Sequence, residues 1–166
     1  MKRWFFATSI LLFQGCATIE NSPIAREQLE IKAFTYTDLT GDKEQLWNRA
    51  NNYFASAYNN SKAVLRTSSQ IQGTIIGKGI VSWKIRSDFY IKPCYSEYQI
   101  RFVAKEHKAR LQLELLEGTP PLSNCVYWTL PGGYGYQQVM DEFNEISSGL
   151  GKALRGEGKI ESMKDF

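Results

Sequence analysis

Apolar and polar residues alternate with a period of two in several stretches of this chain and recur every three to four residues in two others, which predicts a mixed α and β domain. Residues 29–36 place Leu29, Ile31, Ala33 and Thr35 on one face and read as a first strand. Thr40-Gly41-Asp42 is turn chemistry, and Asp42 with Gln45 three residues on has the form of a capping box. The helix it opens runs to about residue 58, with Leu46, Ala50, Tyr53, Phe54 and Ala57 forming one apolar stripe against a sheet. Asn59-Asn60-Ser61 ends it.

Four strands follow in the pattern. The first covers 63–68, and the second covers 73–85 with β-branched Thr74, Ile75, Ile76, Ile80 and Val81. The third covers 89–104, where Tyr98, Ile100, Phe102 and Ala104 alternate with Glu97, Gln99 and Arg101. Its partner, 109–115, turns Ala109, Leu111, Leu113 and Leu115 inward, so residues 105–108 form a hairpin turn. Residues 117–122, with Gly118, Pro120 and Pro121, leave the sheet, and 125–130 return as a short segment. A helix over 136–154 then buries Val139, Phe143, Ile146, Leu150 and Leu154. The fold class is α+β in the order strand, helix, four strands, helix, with an antiparallel sheet carrying both helices on one face.

The first residues stand outside this periodicity. Lys2 and Arg3 precede an apolar run, Trp4 to Phe13, which fits a signal peptide and is too short to span a bilayer, for which about 20 residues are needed. Leu11-Leu12-Phe13-Gln14-Gly15-Cys16 ends that run and resembles the lipobox of bacterial lipoproteins. The alternative is ordinary secretory cleavage with Cys16 as a bystander thiol. The resemblance implies lipid on Cys16 and, with Ala17 rather than Asp after it, the periplasmic face of the outer membrane. The expected organisation is a signal peptide at 1–15, a lipidated tether at 16–28, one domain at 29–155 and a flexible tail at 156–166.

Composition narrows the functions. Removing residues 1–15 from 166 leaves 151, enough for one domain with its own core. Taking Lys2 and Arg3 from the full-chain charge of +3 leaves +1, which argues against nucleic-acid binding. With Cys16 assigned to lipid, Cys94 and Cys125 remain as a pair in an oxidising compartment, and a disulfide between them is expected. A zinc site would want about four ligands at close spacing, and His107 is the single histidine to join the two thiols. No metal or cofactor is expected.

A further resemblance lies in Asn60-Ser61-Lys62-Ala63-Val64, then Gly73-Thr74-Ile75-Ile76-Gly77-Lys78-Gly79, then the strand holding Tyr98 to Val103. Together with the helix before them, these segments are similar to a family of bacterial envelope proteins known as a domain of unknown function with a TATA-binding-protein-like fold, over about residues 30–116. That resemblance implies the fold and supplies no reaction or catalytic residues.

Candidate chemistry is sparse. Gly77 and Gly79 share a face with Ile75 and Val81 and leave room for close packing, for instance by Phe54, or for a ligand. Pro131-Gly132-Gly133-Tyr134-Gly135 precedes the last helix without the ending of a phosphate-binding loop, so it reads as a connection. His107 has no oriented nucleophile and reads as an exposed turn residue. Arg101, Lys105, Lys108 and Arg110 make a locally basic hairpin that suits either solvent or anionic lipid. Tyr127, Trp128, Tyr134 and Tyr136 form the best candidate binding patch, and an open sheet edge is a second docking place. The expected function is therefore a lipid-anchored, non-enzymatic binding or structural module of the envelope, with the membrane and an envelope protein as partners. Its rival is a carrier of a small apolar ligand or lipid held between sheet and helices.

Overall fold

The computed structural model describes residues 22–58, 63–85, 92–121 and 123–157. In chain order these form β1 (Lys32–Tyr36), α1 (Lys43–Ala57), β2 (Ala63–Ser69), β3 (Thr74–Ile85), β4 (Lys92–Lys105), β5 (Lys108–Leu115) and α2 (Gly133–Arg155). The strands pair antiparallel in the order β1-β5-β4-β3-β2. Both helices cover one face, because strand residues alternate and the apolar set from β3, β4 and β5 points to that side. The opposite face carries Lys78, Glu97, Arg101 and Glu114, with Lys78 paired to Glu97 at 2.7 Å and Arg101 to Glu114 at 3.8 Å. The α+β class and the order of elements stand as the periodicity predicts.

Local chemistry accounts for the boundaries. Asp42 caps α1 by accepting from the Gln45 amide at 2.8 Å, and the Gln45 side chain accepts from the Asp42 amide at 3.3 Å. Gly156 takes φ 78° at the end of α2, a left-handed position that glycine fills without a Cβ penalty. The β4–β5 turn is centred on Glu106 and His107, and loop residues Leu39 and Gly41 bond to the His107 backbone, clamping that hairpin to the start of α1.

Three expectations about packing are corrected. The inward face of β1 is Phe34 and Tyr36, while Ala33 and Thr35 face solvent and Ile31 is 53% exposed. The two rings bury more apolar area than the smaller set, and a register shift of one residue exchanges the faces. Ala57 is exposed, and Tyr58 continues the α1 stripe instead, stacked on Phe54 with ring centroids 6.1 Å apart. The space above Gly79 is filled by Tyr98, its partner on β4, rather than by Phe54; a Cβ on Gly79 would overlap the Tyr98 ring.

The ends of the chain also differ. Pro23 forms an antiparallel bridge with Gly132, the Ile24 amide donates to the Pro131 carbonyl at 2.9 Å, and Arg26–Gln28 form a 3₁₀ turn. Residues assigned to the tether therefore pack on the domain from Pro23 onward. Helix α2 starts at Gly133, three residues before the expected 136, and the returning segment at residues 125–130 consists of turns and bends fastened through Cys125. Cys16, the signal segment and residues 158–166 of the expected tail lie outside the described residues.

Candidate functional site

Two opposite ends define the molecule. At one end lie the β4–β5 hairpin, the β2–β3 turn, the start of α1 and the end of α2, tied by Lys43 Nζ to the Ile71 carbonyl at 2.7 Å and Arg49 to the Leu154 carbonyl at 2.7 Å. The other end holds the start of α2, the N-terminal segment and the irregular loop from Leu116 to Gly132. The candidate aromatic patch belongs to this second end.

That loop is fastened at several points. Cys94 on β4 is bridged to Cys125, with the Cα atoms 5.5 Å apart. Ser123 is buried, and its hydroxyl accepts from the amides of Tyr95 at 3.2 Å and Cys125 at 3.3 Å. The Gly118 amide donates to the Thr129 carbonyl at 2.9 Å, and Arg26 pairs with Glu117 at 3.7 Å. Trp83 holds the middle: its indole donates to Ser96 at 3.0 Å, its ring meets Trp128 edge to face at 6.1 Å, and Gly135 lets α2 approach it closely.

The four aromatic residues of the patch divide into two roles. Trp128 packs against the core on Trp83, and the Tyr136 hydroxyl accepts from the Glu30 amide at 3.0 Å, fixing the N-terminal segment. Tyr127 is 92% exposed and Tyr134 41%. The structure thus does not gather all four on one surface. It adds Val126, 63% exposed beside Tyr127, which the sequence reading passed over; its signal was an apolar run continuing past Cys125 inside a loop.

Other candidates resolve into structure. The Gly132–Gly135 segment caps and begins α2, with Gly135 buried against Trp83. His107 is exposed at φ 58°, its Nδ1 lying 3.2 Å from the Leu39 carbonyl oxygen. Arg110 donates to Thr35 at 3.2 Å, and Arg101 to Gln99 at 2.7 Å, so both basic groups engage neighbours on the open face. Among the described residues, no three His, Cys, Asp or Glu side chains stand close enough to hold a metal ion, and no helix is long and apolar enough to cross a membrane.

Among the described residues, the ionisable groups clearly perturbed are tyrosines in the core or packed against it. Burial pushes Tyr53 and Tyr58 up to about 12. Tyr36 and Tyr98 are also raised, first by burial. Each hydroxyl has a partner: Tyr36 with Ser147 at 2.8 Å, Tyr53 with the Ile146 carbonyl at 3.1 Å, and Tyr58 with Tyr98 at 2.7 Å. These contacts lock α1 and α2 to each other and to the sheet, a packing role.

A five-stranded antiparallel sheet backed on one face by two helices places the chain among α+β proteins of TBP-like fold. Residues 38–117, from the loop before α1 through β5, match the domain family DUF4468, a domain of unknown function with TBP-like fold. A crystal structure of a DUF4468 family protein from Bacteroides ovatus is similar at TM-score 0.54 and 11% identity, covering 81% of this chain and 89% of that one. A TBP-like protein from Parabacteroides distasonis is similar at TM-score 0.54 and 11% identity, covering 77% of this chain and 96% of that one. At such identity the likeness concerns the fold alone. No curated protein sequence matches the chain.

Proposed function

We propose that this protein is a non-enzymatic binding or structural module of the bacterial envelope, anchored by lipid on Cys16 at the periplasmic face of the outer membrane. The observation that carries the reading is the spacing between Cys16, which ends a lipobox-like run, and Pro23, where the chain first docks on the fold. A lipid on Cys16 would leave a short link to a folded domain. The Cys94–Cys125 bridge supports an oxidising compartment. Buried polar side chains that bond one another or the backbone support a packing role over a catalytic one.

The carrier alternative needs room between sheet and helices. That layer is occupied by Phe54, Trp83, Tyr98, Phe102 and Phe143, all fully buried, which supports surface binding over an internal ligand.

Fractionating cells that express the chain with Cys16→Ser tests the anchor. The variant is expected in the soluble periplasmic fraction while the parent sediments with outer membrane; a variant that stays membrane-bound overturns the anchor. Crosslinking in intact cells should recover a specific envelope protein with the parent chain, and lipid co-purifying with the domain would favour the carrier.

A further inference from the structure

Residues 125–128 form a turn closed by the Trp128 amide donating to the Cys125 carbonyl at 2.9 Å. Both flanks are fixed to the core, Cys125 by its bridge to Cys94 and Trp128 by its contact with Trp83. The two residues between them point outward, Val126 at 63% exposure and Tyr127 at 92%. The turn therefore holds an aliphatic and an aromatic side chain next to each other at a fixed place on the surface, an arrangement suited to an apolar boundary with water at its edge.

The chain's own connectivity says which boundary. The N-terminal segment joins this same end, through Pro23 on Gly132 and Arg26 on Glu117. Tyr127 is four residues from Pro131, whose carbonyl accepts from Ile24. Six peptide units separate Cys16 from Ser22, which limits their span to about 21 Å. Lipid on Cys16 would therefore hold this end, and not the hairpin end, toward the bilayer. The basic hairpin of Lys105 and Lys108 lies at the opposite pole, past the length of α2, whose 23 residues measure about 34 Å.

We propose that Val126 and Tyr127 form a membrane-contact tip that rests in the interfacial region of the bilayer to which the protein is tethered. Tyrosine favours this region because its ring is apolar and its hydroxyl stays hydrated. A contact of two side chains is weak alone and becomes effective when a short tether raises its local concentration. It would fix the domain's orientation, presenting the hairpin end with Ile71, 87% exposed, away from the lipid. The inference rests on the anchor proposed above.

The test uses the intact lipidated chain in vesicles of phosphatidylethanolamine and phosphatidylglycerol containing a lipid with a photoreactive diazirine near its headgroup. After illumination, mass spectrometry should find lipid adducts on Val126 or Tyr127 and none on the peptide holding Ile71. Adducts on neither, or equally on both, overturn the contact. A second arm holds the Cys16→Ser chain by an N-terminal polyhistidine tag on nickel-chelating lipid. Adducts at the turn in that arm, with no lipid mass on the native Cys16, support the contact and overturn the anchor. Lipid mass on Cys16 without adducts in either arm overturns the contact and leaves the anchor standing. In the Val126→Ser, Tyr127→Ser double variant the adduct yield on the peptide holding this turn should fall several-fold; an unchanged yield there also counts against the tip.

Discussion

The hydroxyl groups of Tyr58 and Tyr98 meet at 2.7 Å, joining the residue that caps α1 to the middle of β4. Tyr98 is almost wholly buried, and its ring lies over Gly79 on the next strand. One hydrogen bond and one missing Cβ thus connect a helix end, a central strand and the glycine-bearing strand beside it.

Replacing Tyr58 with Phe leaves the Tyr98 hydroxyl without that partner, at a cost of about 1–3 kcal/mol for a buried unsatisfied group. The Tyr58→Phe, Tyr98→Phe double variant should lose less stability than the sum of the single variants, as expected for residues in direct contact. Urea denaturation of the four proteins measures the coupling.

Alkaline pH should unfold the domain through the same groups. Tyr53 and Tyr58 stand at about 12 in the folded state, above the usual tyrosine value of about 10. A raised folded-state value contributes stability that is complete below about pH 10 and is lost as pH climbs through about 12. Tyr58→Phe should therefore show a shallower loss across that window, relative to its own stability at neutral pH, as followed by circular dichroism and tyrosinate absorbance.

Gly79→Val should destabilise the domain by at least the roughly 1–3 kcal/mol typical of an overpacked core, because the new side chain meets the Tyr98 ring. Gly133→Ala is the contrasting substitution. It has open space at the first turn of α2 and should be neutral or stabilise by up to about 1 kcal/mol. Thermal melts of both variants separate close packing from a general intolerance of glycine replacement.

Substituting both Cys94 and Cys125 with Ser should remove roughly 3.5 kcal/mol, the chain-entropy value for a bridge spanning 31 residues. Reductant should lower the melting temperature of the parent and leave the double variant unchanged.

Much of this fold is legible in the sequence where one periodicity acts alone. Val139, Phe143, Ile146, Leu150 and Leu154 mark the buried side of α2, and all five are buried. The β5 alternation likewise places Ala109, Leu111, Leu113 and Leu115 in the core. Periodicity fails at β1 because both faces carry apolar residues, and the inward set is fixed by burial against elements far away in sequence, as where Tyr36 meets Ser147. The filler of Gly79 escapes for a related reason, since cross-strand register selects Tyr98 over a helix aromatic. The aromatic patch was legible as composition only. Whether Trp128 is core and Tyr127 surface depends on the turn between Cys125 and Trp128, which no local spacing announces.

The first strand of the sheet pairs with the last: Lys32 sits opposite Leu113 and Tyr36 opposite Ala109. A polypeptide emerging N-terminus first therefore carries β1 without its neighbour until β5 has followed, and only then does this edge of the sheet form. Sequence-distant pairing of this kind slows folding. It delays completion of the native state until nearly the whole domain has emerged, so the β1 edge is the last part of the sheet to close.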